Sequence, residues 1–380
     1  MKSKRINFRF ALVLIASLAV LGVATHFLHA YQVRRTANAM QSRARQLESE
    51  GQIAQAVDYL GRYLSLNPDK NDELAHYGSL LADQKMATTP RGKARALAVL
   101  NRVLSREPDR LDIRRKAVRL SMDLGQFKDA EKDLTLLIGD PPTDAELQYL
   151  RGQCNFALGQ YKAARLDYEA AKRLAPHGLD QLDPDPFGAY RRLATLLRTK
   201  PSELLTEKEK TRDQVVKSAD LVMNDLVDAN DKSAKAHLLR AKYRRQYGVG
   251  DASEDVRAAA KLAPDDADVY LTAATIALGQ QHIDEARETL RRGYEHLPNE
   301  SQLHLAAAQL ELQYGMIDAA VARLEAGLEK LPRQRDLLWE KALVLTLADR
   351  KAEAENAIQQ LQKDNFPKPF LDCLGARGDA

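Results

Sequence analysis

The sequence has little of what most catalytic and metal sites are built from. Its 380 residues include two cysteines and eight histidines, and the histidines are scattered singly. There is no H-E-x-x-H, no G-x-S-x-G and no glycine-rich phosphate loop. Two cysteines cannot form a disulfide framework, and Cys154 is expected to be a buried apolar residue. We therefore predict no catalytic residue, no cofactor and no metal ligand.

Two short stretches resemble known binding motifs. Asp180, Asp183 and Asp185 lie close together, as in a calcium loop, but they lack the ligand register and the bidentate glutamate of an EF-hand. We interpret them as part of a polar loop. The tripeptide Arg-Gly-Asp at 377–379 lies in a polar tail, and we interpret it as coincidence.

Aromatic residues are also sparse, at 6% of the chain, and no run alternates as a half-buried strand would. This composition favours an all-α protein. The net charge of +4 arises near the N-terminus, because residues 1–35 contain six basic residues and no acidic one. The remainder carries 51 basic against 53 acidic residues. An overall charge this close to neutral does not suggest a nucleic-acid-binding protein, and we predict no nucleic-acid partner.

The chain has one long apolar run. Residues 11–30 carry no Asp, Glu, Lys or Arg, and a helix of this length spans about 30 Å, the thickness of a bilayer core. We predict a basic tail over 1–9 and a transmembrane signal anchor over 10–31. The alternative is a cleaved signal peptide, since Gly22, Val23 and Ala24 offer small residues near a cleavage site.

Orientation follows from the flanking charges, which nearly balance. Four basic residues precede the span and four follow it closely; they are Lys2, Lys4, Arg5 and Arg9, then Arg34, Arg35, Arg43 and Arg45. The positive charge of the amino terminus and the close spacing of the first four basic residues give the N-terminal side the slight excess of positive charge. We predict a cytoplasmic N-terminus and the rest of the chain outside, in the periplasm if the source is bacterial.

Beyond the anchor, one pattern of spacing recurs. From the small residue Gly152, an alanine follows at Ala164, large or core residues at Tyr168 and Ala171, and a proline at Pro176. The same ladder starts at Ala274, Ala308 and Ala342, positions 34 residues apart, and at Ala44 and Val118. Fainter copies start at Gly78, with six extra residues in the turn, and at Ala241, with a turn one residue short. A third has its first helix at residues 190–197, a 13-residue insertion before Ala219, and Asp231 in place of the proline. A fixed period of this length indicates a solenoid built from stacked repeats.

Each copy predicts a pair of helices. Apolar residues at helical spacing precede the turn at Gly159, the pattern resumes at Tyr161, and Pro176 ends the second helix. The spacing, the G-x-Y-x-x-A turn and the closing proline resemble the tetratricopeptide repeat (TPR) family. The resemblance implies a right-handed α-solenoid of about nine hairpins, with arrays over 36–176 and 187–368 and a capping helix and tail over 369–380.

In the TPR family, the first helices of successive hairpins line a concave face that binds peptides. The resemblance places nine residues on that face: Arg115, Arg119, Tyr149, Gln153, Arg191, Arg198, Lys235, Lys242 and Arg245. Such a basic, partly aromatic lining suits an acidic peptide. The alternative is that these residues are ordinary solvated helix faces.

These features predict a non-catalytic, membrane-tethered scaffold for protein–protein interactions. It resembles TPR proteins that assemble complexes of the cell envelope. One alternative is a soluble exported adaptor, released by cleavage near Ala24. Another is an enzyme with an unrecognised site in the aspartate-rich loop or in the insertion before Ala219.

Overall fold

The computed structural model describes residues 8–371, apart from 84, 140, 180–184 and 365. Over these residues it contains α-helices and one 3-10 helix, and no β-strand. The chain divides into two compact units, Met1–Leu174 and Ala175–Ala380. The predicted all-α class is confirmed.

The first unit contains four helix hairpins. Its helices are α1 (Phe8–Ser49), α2 (Ile53–Leu66), α3 (Asn71–Leu81), α4 (Pro90–Arg106), α5 (Leu111–Asp123), α6 (Phe127–Leu137), α7 (Ala145–Ala157) and α8 (Tyr161–Leu174). The two helices of each hairpin pack together, and α3 also contacts α5.

The second unit contains five hairpins. Its helices are α9 (Gly188–Thr199), a 3-10 helix (Pro201–Leu204), α10 (Arg212–Ala229), α11 (Ala234–Tyr247), α12 (Ala252–Leu262), α13 (Ala267–Gly279), α14 (Ile283–His296), α15 (Ser301–Gln313), α16 (Ile317–Lys330), α17 (Arg335–Leu347) and α18 (Lys351–Lys363). The first helices of successive hairpins lie side by side, since α11 contacts α13, α13 contacts α15 and α15 contacts α17.

The turn inside a hairpin needs one residue with left-handed backbone. Gly159 takes this position between α7 and α8 with φ of +75°, and Gly125 and Gly315 do so in their hairpins. Glycine is favoured there because it has no Cβ to collide with the backbone. Two hairpins place other residues at the turn, Gln281 with φ of +64° and Asp349 with φ of +57°. The glycine turns therefore mark most hairpins, but they are not obligatory.

The closing prolines lie where the repeat predicts. Pro176 follows the end of α8 by two residues, and the same offset holds for Pro68, Pro108, Pro264, Pro298 and Pro332. Because proline lacks an N–H and clashes with the preceding turn, it does not extend the helix. Pro142 lies farther from its helix, since α6 already ends at Leu137.

A polar side chain of the next hairpin binds the carbonyl oxygen of several of these closing residues. Arg114 donates from Nη2 to the Pro108 oxygen at 2.6 Å, and His304 donates from Nε2 to the Pro298 oxygen at 3.1 Å. His237 bonds the Asp231 oxygen and Tyr190 the Pro176 oxygen in the same way. These bonds satisfy carbonyls that the helices leave unpaired. They join one hairpin to the next even where Asp231 replaces the expected proline.

Small residues permit the close packing of paired helices. A Cβ added at Gly152 would lie 2.6 Å from Cε1 of Tyr168, a buried ring on α8. The alanine positions of the ladder, such as Ala164 and Ala286, have no exposed surface. Larger side chains would force the helices apart.

Helix α1 is much longer than the others, at 42 residues. Its last third packs against α2 through buried Ala37, Ala44 and Leu47. Earlier along the helix, large apolar side chains such as Leu21 and Phe27 are exposed. Within the part of the chain that the structure describes, no helix is both long and apolar enough to cross a membrane.

Residues 366–371 cover the last hairpin. Leu371 is buried with Leu338 and Leu361, and Phe366 stacks on Trp339 with ring centroids 5.3 Å apart. Phe370 also meets the Trp339 ring, edge to face. Of the capping helix and tail predicted over 369–380, residues 372–380 lie outside the described residues.

Candidate functional site

In the first unit, two of the predicted surface cations lie on α5 and pair with acids of α7. Both terminal nitrogens of Arg115 donate to Oδ2 of Asp144 at 3.1 Å, and Arg119 donates to Oε1 of Glu146 at 3.1 Å. Asp144 also caps α7 by accepting from the Leu147 amide. These ion pairs therefore join the first helices of successive hairpins.

The other two predicted residues of this unit lie on α7. Tyr149 is only 4% exposed, and its ring packs against Tyr168 with centroids 6.0 Å apart. Gln153 is half-buried. Tyr149 is thus part of the packing between α7 and α8 and adds no open aromatic surface.

In the second unit, three predicted residues are exposed on α11. Lys242 donates to Oδ2 of Asp268 on α13 at 3.1 Å, which repeats the pattern of the first unit. Arg245 lies near Gly279 of α13, and Lys235 is exposed at the start of α11. These cations lie along the contact between α11 and α13.

The two predicted arginines of α9 are held by local partners. Arg191 donates from Nε to Oδ2 of Asp185 at 3.0 Å. Arg198 is mostly buried; its Nε donates to the Tyr243 hydroxyl at 2.7 Å, and its guanidinium pairs with Asp220. Arg198 thus links α9 to α10 and α11 instead of lying open to a partner.

The Arg198 cluster perturbs the pKa of its members. Burial disfavours the arginine charge, but the hydrogen bonds with Tyr243 and Asp220 outweigh it and raise the pKa of Arg198. Burial raises the pKa of the Tyr243 phenol, and Asp220 raises it further. Both groups therefore keep their protons at neutral pH, as a structural hydrogen-bond cluster requires.

The acids of the following hairpin change the electrostatics of the predicted face. Asp144, Glu146 and Asp268 each lie within 3.1 Å of a predicted cation. Exposed pairs of this kind contribute little to stability, about 0–1 kcal/mol each. These acids reduce the positive charge around the predicted cations. In each unit, the surface of the first helices therefore carries both positive and negative charges, whereas the sequence suggested a basic lining.

Buried acid–arginine pairs recur inside the hairpins, and sequence reasoning missed them. Asp167 of α8 accepts from Nη2 of Arg151 at 2.6 Å and from Nδ2 of Asn155 at 2.7 Å. Asp255 of α12 is bound in the same way by Arg240 and Arg244 of α11. The sequence signal is an aspartate nine residues before the closing proline, which Asp133 also provides, pairing with Arg114.

A groove that the sequence did not predict lies elsewhere, between the second helices α12 and α14. Its volume is about 420 Å³, and α13 lies between its two walls. The apolar surface comes chiefly from Val256, Ala260, Ala273, Ile276 and Ala277. Volumes of this size are typical of ligand pockets, about 300–1,000 Å³.

Ala260 explains why this groove is open. It lies four residues before the closing Pro264, and the equivalent positions of other hairpins hold Leu64, Tyr294 and Leu328. Ala260 therefore leaves space that Leu64, Tyr294 and Leu328 fill in their hairpins, whereas the α8 hairpin has Lys172 at this position. The sequence signal was the alanine run 258–260, in the hairpin whose turn is one residue short.

The rim of the groove is mainly cationic. Arg257, Lys261 and Arg292 line it together with one acid, Glu285. Arg257 lies 3.6 Å from Asp251, and Glu285 lies 3.3 Å from His282. Among the residues that the structure describes, neither Lys261 nor Arg292 forms an ion pair or a hydrogen bond.

The remaining chemical groups are unreactive or lie outside the described residues. Cys154 is completely buried, and desolvation raises the pKa of its thiol to about 12, so it stays protonated. Asp180 and Asp183 are outside the described residues, as is the tripeptide at 377–379. Within the described ranges, no group of three His, Cys, Asp or Glu side chains could hold a metal ion.

Comparison with known proteins supports the repeat. A family model for the tetratricopeptide repeat matches residues 115–178, the region from α5 to just past α8. No curated protein matches the chain.

Solved structures with a similar fold include three that share 14–17% of aligned residues. A TPR protein from Parabacteroides merdae is 16% identical, covering 73% of this chain and 99% of its own, with a TM-score of 0.44. MamA from Desulfovibrio magneticus RS-1 is 17% identical, over 52% and 97%, with a TM-score of 0.38. PilF from Pseudomonas aeruginosa is 14% identical, over 61% and 96%, with a TM-score of 0.35.

Proposed function

The chain belongs to the tetratricopeptide-repeat family, and from that premise we propose that it is a non-catalytic scaffold that holds partner proteins at a membrane. The fold indicates a protein–protein interaction scaffold, because stacked hairpins offer long exposed helix faces to a partner. The observation that carries the proposal is the side-by-side contact of first helices, α11 with α13, α13 with α15 and α15 with α17. Exposed side chains such as Lys235 and Arg245 lie along this face.

The proposed partner of this face is a protein segment of mixed charge. In the first unit the cations of the first helices are Arg115 and Arg119, and in the second unit they include Lys242 and Arg245; all but Arg245 already pair with acids of the neighbouring first helix. A partner must therefore compete with Asp144, Glu146 and Asp268 for these cations. An acidic peptide therefore gains less binding affinity from these cations than it would if they were unpaired.

The proposed tether is residues 10–31, with the repeats on the extracytoplasmic side, in the periplasm if the source is bacterial. Its support is the uncharged stretch 11–30 and the exposure of Leu18, Leu21 and Phe27 on α1, since apolar side chains at a protein surface favour contact with lipid. A role in assembling an envelope complex follows from tether and scaffold together. The alternative is an exported adaptor released by cleavage near Ala24, and N-terminal sequencing of the mature protein distinguishes the two.

Location is tested by fractionation in the native host. We expect the full chain to stay in the membrane pellet after carbonate extraction, and a chain lacking residues 1–31 to become soluble. A reporter that is active only in the cytoplasm, fused after Ala380, should be silent. A soluble full-length chain or an active cytoplasmic reporter would refute the tether or the orientation.

Partner capture is tested by photo-cross-linking in the same cells. A benzoyl-phenylalanine placed at Lys235 or Arg245 should trap a discrete partner band. A control at Leu221, exposed on the second helix α10, should not trap that band. If no position on the first helices cross-links to another protein, this face is not the binding surface of a scaffold.

A further inference from the structure

We infer that the groove between α12 and α14 binds an acidic, amphipathic peptide segment of a partner protein. The inference rests on the proposed scaffold function but assigns the binding to the second helices, away from the face of the first helices. The groove combines an apolar surface with a cationic rim. The two properties together specify the chemistry of what it binds.

The apolar surface selects bulky side chains. Ala260 stands where other hairpins place Leu64, Tyr294 or Leu328, and Ala273 and Ala277 of α13 add no bulk beside it. A leucine or phenylalanine from a partner would supply the missing volume. Burying such a side chain favours binding, because it removes apolar surface from water.

The rim selects acidic neighbours for those side chains. Three cations and one acid line the groove, and among the described residues Lys261 and Arg292 form no ion pair or hydrogen bond, although the Arg292 charge helps to lower the pKa of Glu288. This differs from the first-helix face, where Arg115, Arg119 and Lys242 are already paired. A carboxylate of a peptide can therefore bind at the groove without displacing an acid of the chain itself.

The side-chain hydroxyl of Thr289 adds a polar group inside the groove. Thr289 is buried on α14, nine residues before Pro298, where the α8 and α12 hairpins hold Asp167 and Asp255. No arginine of α13 stands opposite it, since the equivalent of Arg151 and Arg240 is Ala273. The α13–α14 hairpin therefore lacks the aspartate–arginine pair that joins α7 to α8 and α11 to α12. The groove lies on the side of α13 that carries Ala273.

The test uses the full chain in detergent and three fluorescent 16-residue peptides of helical design. The first carries leucine at positions i, i+3, i+4 and i+7 with glutamate between, the second replaces glutamate by lysine, and the third replaces leucine by serine. Fluorescence anisotropy should show saturable binding of the first peptide only. Failure of the first peptide to bind, or equal binding of the second, would overturn the inference.

Variants locate the binding to the groove. Lys261→Glu with Arg292→Glu reverses the rim, and Ala260→Leu fills the apolar surface; each should weaken binding at least about tenfold. Lys128→Glu with Lys132→Glu makes the same charge change on α6, another second helix, and should leave the affinity unchanged. Circular dichroism of each variant confirms that it is folded. If the groove variants bind as the wild type does, the inference is wrong.

Two further outcomes separate this inference from its alternatives. Vesicles of phosphatidylglycerol and phosphatidylcholine should not bind in a manner that depends on Lys261 and Arg292; if they do and the peptide does not, the site is a lipid site and the inference fails. If the groove variants have no effect while Lys235 or Arg245 still cross-links a partner in cells, the scaffold function stands and the groove assignment falls.

Discussion

The α7–α8 hairpin and the α12–α14 segment follow the same repeat pattern but differ in how tightly side chains pack between their helices. In the first, Gly152 lies against the buried ring of Tyr168, and Asp167 binds Arg151 and Asn155 between the helices. In the second, Ala260 and Ala273 take the place of larger residues, and a groove of about 420 Å³ remains. Both regions consist of paired helices of similar length, and they differ in side-chain volume at a few positions and in the turn before α12, which brings Ala252 one residue closer to Ala241 than Ala164 is to Gly152.

This difference shows how a repeat protein acquires a local binding surface. The spacing of small residues, turns and prolines fixes the path of the backbone, and it tolerates wide variation elsewhere. Small side chains at Ala260, Ala273 and Ala277 then leave a groove beside α13. The predictions below test how tightly the two regions are packed.

The largest expected effect is the loss of the buried Asp167 charge. Asp167→Asn leaves Arg151 without its carboxylate, and we expect it to destabilise the α7–α8 hairpin by about 3 kcal/mol. Asp268→Asn is the matched control, because the Lys242–Asp268 pair is about half exposed, and it should cost less than about 1 kcal/mol. Native-state hydrogen exchange of the two regions measures both. Equal effects would show that Asp167 is not the buried partner described above.

The next effect compares glycines of the two regions. Gly152→Ala places a Cβ 2.6 Å from the Tyr168 ring and should destabilise its hairpin by about 1–3 kcal/mol. Gly279→Ala meets only Arg245 at 3.8 Å and should be neutral or stabilising by up to about 1 kcal/mol, since alanine favours helix. Urea denaturation compares the variants. If both changes have the same sign, the contrast in packing is refuted.

The third effect is a pH dependence in the α15–α16 hairpin. Burial lowers the pKa of His304, and the nearby Arg323 charge lowers it further, although the bond to the Pro298 carbonyl opposes this. The unfolded state therefore binds the proton first, and stability that is present above about pH 6.5 is lost as the pH falls below it. His304→Gln cannot titrate, so its stability should fall less between pH 7 and pH 5. Parallel pH profiles for both proteins would contradict this.

The smallest effect concerns the turns that lack glycine. Gln281 and Asp349 take left-handed backbone, which is strained for residues with a Cβ, so Gln281→Gly and Asp349→Gly should each stabilise by about 1 kcal/mol. The same position in α7–α8 is already Gly159, and Gly159→Ala should be destabilising by a similar amount. Thermal denaturation measures the three variants, and a loss of stability in Gln281→Gly would contradict the turn geometry.

Much of the fold could be predicted because it depends on local rules. Gly159 at a turn, Pro176 after a helix and Ala164 between helices each follow from backbone conformation or steric contact, which the sequence displays directly. These positions predicted the hairpins and their number.

The binding surface could be predicted only in part because it depends on partners distant in sequence. The position of Tyr149 on a first helix did not show that Tyr168 would cover it, and Arg198 gave no sign of its contact with Tyr243. The acids that pair with Arg115 and Lys242 lie 29 and 26 residues farther along the chain. The groove likewise emerges only when α12, α13 and α14 are placed together.

The central claim is that this protein binds its partners through helix surfaces, with the groove of the second unit as the acidic-peptide site. Cross-linking from photo-leucine in the glutamate–leucine peptide, with the labelled residues identified by mass spectrometry, tests it most directly. We predict that the label attaches to Val256, Ala260 or Ile276. Attachment on the first-helix face, at Lys242 or Arg245, would contradict the claim.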